Sequence, residues 1–311
     1  MRVLFWGTPE FAVPSLRALA EEGHEVVGVV TQPDRPAGRG RALKASAVKT
    51  VALEEGGYPV LTPEKPRGEE FLASLRALAP DISVVVAYGH ILPKDVLELP
   101  RLGSVNVHAS LLPFLRGAAP INWAIARGFE VTGVTVMRMV EAMDAGPILF
   151  QAEEPIGASE TASELTARLS EVGAGALVQA LALLQAGDLE EIEQDETMVT
   201  WAPKVDRQIA RVDWDRSARE IADHVRGMDE VPGAWSQHAG QPVKLFRPTI
   251  ATAPIDGAAP GTVVVADASG LVIAAAADAV AFGEVQPPGR RRMPARDWIA
   301  GRQVSEGDHF E

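Results

Sequence analysis

The feature that most narrows the fold is a strand–helix–strand rhythm at the start of the chain. Val3 to Trp6 is a short apolar run that stops at Gly7-Thr8-Pro9. Glu10 to Glu22 has helical spacing and ends at Gly23, and Glu25 to Thr31 is a second apolar run, rich in valine. Parallel strands need a crossover connection, so this alternation implies a mostly parallel sheet covered by helices. A helix over Glu69 to Leu78 then leads into Ile82 to Ala87, the most strand-like run in the sequence. The turn after the first run lacks the three glycines of a dinucleotide fingerprint, so nicotinamide binding is not expected.

A chain of 311 residues suits two domains better than one, and 47% apolar residues support a substantial core. The stretch Gly187 to Lys204 is rich in acids and poor in core residues, and reads as a connector. The expected division is a first domain over 1–187, a linker over 188–206 and a second domain over 207–311. A helix near Ser217 to Val225 opens the second. Short Val/Ala runs broken by Gly and Pro follow it, as in a small β-barrel. No cysteine is present, which excludes disulfides and thiol chemistry. The amino-terminal apolar run is too short for a signal peptide or membrane span. A cytoplasmic protein working without a membrane is therefore expected, and, since nothing in the sequence suggests an obligate assembly, a monomer.

The stretch Ser104 to Ile121 reads as a buried strand, a polar tip, a stiff loop and a helix start. Side chains alternate along a strand, so Asn106 and His108 share one face, where a plain core strand would be apolar. Ligands of open α/β sheets sit beyond the carboxyl ends of strands. Tyr88, Gly89, His90, Ile91 and Leu92 follow the Ile82–Ala87 run on that same edge and form a candidate ligand wall. A carboxylate flanked by apolar residues, Asp144, lies within the turn Glu141 to Pro147. An amide and an imidazole can donate to a developing oxyanion, and a nearby carboxylate can charge the imidazole or take a proton. That set fits attack on a carbonyl. Each residue also has a plainer reading, as a strand-end amide, a structural histidine and a turn-forming acid. Spacing alone does not join Asp144 to the other two. Gly-x-Ser-x-Gly is absent, which argues against a serine nucleophile. The remaining histidines lack ligand spacing, so no metal is expected.

Gln32 to Lys49 carries five cations and one acid among prolines and glycines. It is either a solvated loop or a basic finger for phosphates, with Arg35, Arg39, Arg41 and Lys44 as contacts. Arg290 to Arg292 and Arg296 form a second basic cluster. The formal charge of −13 excludes a surface that is basic throughout but not a local basic patch.

These motifs closely resemble the bacterial methionyl-tRNA formyltransferase family of folate-dependent formyltransferases. The likeness runs nearly end to end. It rests on Gly7-Thr8-Pro9, TQPDRPAGRG (31–40), VVVAYGHILP (84–93), NVHASLLPFLRGAAPI (106–121), Met143-Asp144-Ala145-Gly146, QDETMVTWAPK (194–204) and Val212 to Trp214. The resemblance implies a Rossmann-like formyltransferase domain followed by a small OB-like barrel that helps hold tRNA. It also implies 10-formyltetrahydrofolate as co-substrate and initiator methionyl-tRNA as partner and formyl acceptor. Asn106, His108 and Asp144 fall on catalytic positions, and Ser110, Leu111, Leu112 and Pro113 on the folate-binding loop. Arg39 falls in the loop that approaches the acceptor stem. Three rivals share the trio or part of it: a formyltransferase for a small amine, a binding module without turnover, and a formylfolate hydrolase.

Overall fold

The computed structural model describes residues 1–37, 42–251, 255 and 257–311. The chain forms two compact units. The first comprises Met1–Gly117, Thr132–Glu154 and Thr166–Trp201, and the second Ala118–Val131, Pro155–Leu165 and Ala202–Glu311.

The first unit opens with β1 (Arg2–Gly7), α1 (Val13–Glu21) and β2 (Glu25–Val30), the rhythm expected from the sequence. A 3-10 turn over Glu10–Ala12 precedes α1, so the helix starts later than its apolar spacing suggests. Pro14 sits in its first turn, where a missing N–H costs nothing. The basic stretch forms two short antiparallel strands, β3 (Arg35–Ala37) and β4 (Ala42–Lys44), where the sequence suggests only a loop. Next come α2 (Ala47–Val51), β5 (Val60–Leu61), α3 (Glu69–Leu78), β6 (Ile82–Val86), α4 (Lys94–Leu97) and β7 (Ser104–His108). Helix α5 (Pro120–Ala126) belongs to the second unit. Strands β8 (Val131–Arg138) and β9 (Ile148–Pro155) and the long helix α6 (Ala162–Ala186) complete this part of the chain.

The sheet order is β5-β2-β1-β6-β7-β8-β9. β5, β2, β1, β6 and β7 pair in parallel, while β8 is antiparallel to β7. Strands buried on both faces should be apolar throughout, and Val3 to Trp6 and Val84 to Val86 are nearly inaccessible to solvent. The one polar atom on Trp6 is satisfied: its indole N–H donates to Ser83 Oγ at 3.2 Å. The sheet reverses its build direction between β1 and β6. Gly7-Thr8 and Tyr88-Gly89 therefore leave adjacent strand ends at the switch point, where such folds bind ligands. Register places Asn106 beside Val85 on one side and Met137 on the other, and His108 opposite Thr135. Helix α6 is the one described helix long and apolar enough to span a membrane by length and composition. Its Leu165, Leu169, Leu177 and Leu181 are buried within the protein.

In the second unit α7 (Ala218–Gly227) starts at a capping box, in which Ser217 and Glu220 satisfy each other's backbone N–H groups. β10 (Trp235–His238), β11 (Gln241–Ala251), β12 (Val263–Asp267), β13 (Gly270–Ala274), β14 (Ala279–Gln286) and β15 (Met293–Pro294) form an antiparallel sheet ordered β10-β11-β14-β13-β12. Helix α8 (Ala295–Ala300) follows. Residues 308–311 run between the two outer strands. Phe310 bridges to His238 at the end of β10, and His309 bridges to Thr262 before β12. The curl of the sheet is thereby closed by backbone pairing, which gives the small barrel-like form expected. Trp214, Phe282 and Phe310 fill its core edge-to-face.

Candidate active site

His108 ends β7 with its ring buried. Its Nε2 lies 3.0 Å from the carbonyl oxygen of Leu115, so that nitrogen carries a proton and donates it. The other nitrogen, Nδ1, is thereby left to face Asp144, whose Oδ2 is 3.8 Å away. This gap is too long for a direct hydrogen bond and short enough for strong electrostatic coupling in a mostly buried setting. The same Oδ2 accepts the Gly117 backbone N–H at 2.8 Å. The structure thus joins the carboxylate to the imidazole, which spacing alone could not do.

Asn106 lies two residues before His108 and is half-buried. No described residue hydrogen-bonds its side-chain amide, in contrast to the committed polar groups around it. The amide is thus uncommitted among the described residues and partly open to solvent, two positions from a histidine with one free nitrogen.

The backbone around the pair is unusual. Leu115 (φ 60) and Asp144 (φ 53) both occupy the left-handed region, which non-glycine residues enter at a cost and which clusters at functional sites. Gly117 has φ 121, open only to glycine, and that geometry turns its N–H onto Asp144. At Gly146 a Cβ would meet the Arg138 carbonyl oxygen at 2.0 Å, so the Asp144 turn packs on β8 only with glycine there.

The other expected site residues divide between exposed and internal positions. Ile91 is 79% exposed, and His90 is half-buried with its ring 5.6 Å from that of Tyr88. The Tyr88 side chain points into the core against Trp6, so only its backbone is offered at the strand end. Its carbonyl accepts from Thr8 Oγ1 at 3.0 Å and from Gln32 Nε2 at 2.9 Å. Burial pushes the Tyr88 phenol up to about 12. Leu92 is a core residue. At Gly89 (φ 87) a Cβ would meet Gln32 Nε2 at 2.6 Å. In the loop after β7, Ser110 is buried and donates to the Phe114 carbonyl at 2.6 Å. Leu112 donates its N–H to Thr135 Oγ1 at 3.0 Å and packs with Met137 and Ile148. Leu111 and Pro113 are half-buried.

Of the basic residues, Arg35 and Lys44 are exposed and face each other across β3 and β4. Arg39 and Arg41 lie outside the described residues. The base of this arm is fixed by the Lys49–Asp34 ion pair at 2.8 Å and by Gln32, which accepts from Arg35 and donates to Tyr88. In the second cluster Arg292 is committed: it pairs with Asp229 at 3.0 Å and with Glu284, and lies over the Phe246 ring at 4.0 Å. Among the described residues no group of three or more His, Asp or Glu is placed to hold a metal ion.

Sequence reasoning missed the residues that hold the two site loops. Gln194 Oε1 accepts from Arg116 Nε and Nη2 at 3.0 and 2.8 Å, and its Nε2 donates to the Asp144 and Gly146 carbonyls, both at 2.8 Å. Arg116, itself buried, also binds Glu196 at 2.8 Å, which holds the Glu196 carboxyl below its usual range. Thr200 Oγ1 accepts the Leu115 N–H at 2.8 Å. Their sequence signal is the run QDETMVTWAPK (194–204), a motif shared with the family the chain resembles.

A strand-end amide, an imidazole and a carboxylate thus lie together at the carboxyl end of a mostly parallel sheet, the edge where such folds bind ligands. Residues 1–181 match the family described as Formyl transferase and residues 204–303 its C-terminal domain, so the chain belongs to the formyl transferase family. It is 47% identical over 308 residues to a Sorangium cellulosum protein named methionyl-tRNA formyltransferase, covering 99% of this chain and 98% of that one. A protein of the same name from Citrifermentans bemidjiense is 44% identical over 307 residues, covering 99% and 95%. In fold the chain is similar to WlaRD, a sugar 3N-formyl transferase determined with dTDP and 5-N-formyl-THF, with a TM-score of 0.68 and 16% identity over 94% of this chain and 99% of that one.

Proposed function

We propose that the chain transfers the formyl group of 10-formyltetrahydrofolate to the α-amino group of methionyl initiator tRNA, with Asn106, His108 and Asp144 as its catalytic residues. The observation that carries the chemistry is the pairing of an uncommitted Asn106 amide with a His108 Nδ1 that faces Asp144. Full-length relatives at 43–47% identity, all bearing the same name, support the acceptor.

The free α-amino group titrates at roughly 7.7–8.0, so a useful fraction is neutral near pH 7. Its lone pair attacks the formyl carbon, and the carbonyl oxygen becomes an oxyanion. The Asn106 amide donates to that oxygen. Because Nε2 is engaged by Leu115, the lone pair on Nδ1 accepts the ammonium proton, and Asp144 stabilises the imidazolium that results. The proton then passes to N10 of the folate as the C–N10 bond breaks. The products are the formylated amine and tetrahydrofolate, with no net proton change at the site.

Tyr88 to Leu92 and Ser110 to Pro113 are proposed to seat the folate, chiefly through backbone groups and through exposed Ile91. Arg35, Arg39, Arg41 and Lys44 are proposed to contact the acceptor stem, and the second unit to hold more of the tRNA. Residues 1–187 would be the catalytic domain and 207–311 the tRNA-binding one, with the protein working as a monomer in the cytoplasm. The test is formylation of charged initiator tRNA against amino sugar nucleotides and free methionine, with formylfolate hydrolysis followed in parallel. Turnover confined to the charged tRNA is expected. Equal turnover of a small amine, or tetrahydrofolate release without acceptor, overturns the assignment.

A further inference from the structure

We propose that Gln194, assisted by Thr200, is a positioning element that fixes the gap between His108 and Asp144; this rests on the catalytic reading of that pair. The two groups arrive on separate loops. Asp144 stands in a turn whose neighbours Glu141 to Met143 are exposed, and its backbone is in the left-handed region. His108 is oriented by the carbonyl of Leu115, another left-handed residue. The β7–β8 ladder ends at Arg138, whose N–H donates to the Pro147 carbonyl at 2.9 Å; it holds the exit of the Asp144 turn and pairs with neither Asp144 nor Leu115.

One side chain bonds both. The amide of Gln194 has two donor and two acceptor positions, and all four are used. Its nitrogen holds the carbonyls of Asp144 and Gly146, and its oxygen holds the buried guanidinium of Arg116. Arg116 lies between the two residues that touch the pair. Leu115 accepts from His108, and Gly117 donates to Asp144. Gln194 is therefore one side chain away from each end of the 3.8 Å gap. Its own segment is anchored by backbone pairing of Ile192 with Ile148, and by Thr200, which takes the Leu115 N–H and gives its carbonyl to Arg116 N–H. The acidic stretch expected to be a connector is thus a strap across the site.

Gln194→Glu separates this role from simple bracing. The carboxylate still accepts from Arg116, and binds it more strongly, but it has no N–H for Asp144 and Gly146 and repels both carbonyls. The full chain carrying Q194E is assayed beside the unsubstituted protein for kcat, for KM toward formyltetrahydrofolate, and by ¹⁵N NMR of the His108 imidazole. A displacement of about 1 Å in a reacting group can cost about a hundredfold. The expected result is a kcat lowered by about ten- to a hundredfold, a folate KM within about twofold, and displaced His108 resonances. Unchanged kcat with unmoved resonances in folded Q194E overturns the proposal. If the unsubstituted protein does not formylate methionyl-tRNA, the assignment of function fails. The imidazole resonances then decide this inference alone: moved in Q194E supports it, unmoved overturns it. If Q194E does not fold, Thr200→Val, which keeps the side-chain shape and removes the acceptor for Leu115, carries the same test with the same expected fall in kcat.

Discussion

Replacing Asp144 by Asn removes a charge while leaving shape and one contact in place. The amide oxygen of Asn can still accept the Gly117 N–H, now met by Oδ2 at 2.8 Å, so the turn should survive. What is lost is the attraction between the carboxylate and the imidazolium that forms when Nδ1 takes the amine proton. The two groups stand 3.8 Å apart, and the Asp144 side chain is 17% exposed. At an effective dielectric constant of about 20, unit charges at that separation interact by about 4 kcal/mol. If all of this develops only in the transition state, kcat falls by about a thousandfold. The assay is single-turnover formylation of charged initiator tRNA at saturating formylfolate, beside thermal unfolding of both proteins. The expected outcome is a rate lower by two to three orders of magnitude with folate affinity retained. A folded variant within about tenfold of the unsubstituted rate would show that Asp144 carries no charge-stabilising role.

Asn106→Ala removes an uncommitted donor and should cost about 2.7–4 kcal/mol of transition-state stabilisation, a fall of about a hundredfold or more in kcat; near-normal turnover would remove Asn106 from the mechanism. Arg35→Ala and Lys44→Ala should weaken tRNA use while sparing folate binding, and each should flatten the salt dependence of tRNA affinity; equal loss of folate affinity would refute their placement. Tyr88 buries a hydroxyl that finds no hydrogen-bond partner among the described residues, so Tyr88→Phe should leave stability unchanged or raise it by about 1 kcal/mol in thermal unfolding; a clear loss would reveal a missed partner. Asp81 accepts from the Arg2 N–H and Arg101 Nε at 2.8 and 2.9 Å, and these bonds hold its carboxyl below the usual range. Its contribution is therefore full above the unfolded value of about 3.9 and is lost as pH falls through the lower folded value. Asp81→Asn should cost about 1–2 kcal/mol at pH 7, with the difference shrinking below about pH 4; a constant difference across that range would contradict the linkage.

The sheet was legible because its strands are buried on both faces and so appear as short apolar runs, with Val84 to Val86 the plainest. Asn106 and His108 were legible for the converse reason, as polar side chains on such a strand. Asp144 was visible as an acid flanked by apolar residues, but its partner was not, because a loop of left-handed residues decides which way the carboxylate points. Gln194 and Thr200 were illegible as site residues. Their roles come from bonds to the backbone carbonyls and N–H groups of distant loops, and such bonds leave no periodicity or spacing behind. Composition pointed the other way, since the acids around Gln194 mark an exposed stretch while its own side chain is turned inward. The placement of 118–131 and 155–165 with the second unit is likewise a matter of packing that a reading along the chain does not reveal.

The most direct measurement is a structure of the protein with a stable formyltetrahydrofolate analogue, read for the position of the one-carbon unit. The formyl oxygen should lie about 2.7–3.1 Å from the Asn106 amide nitrogen, with the formyl carbon beside His108 Nδ1 and the Nε2 bond to Leu115 retained. A one-carbon unit held away from Asn106, or an imidazole turned so that Nδ1 no longer faces Asp144, would contradict the mechanism at its root.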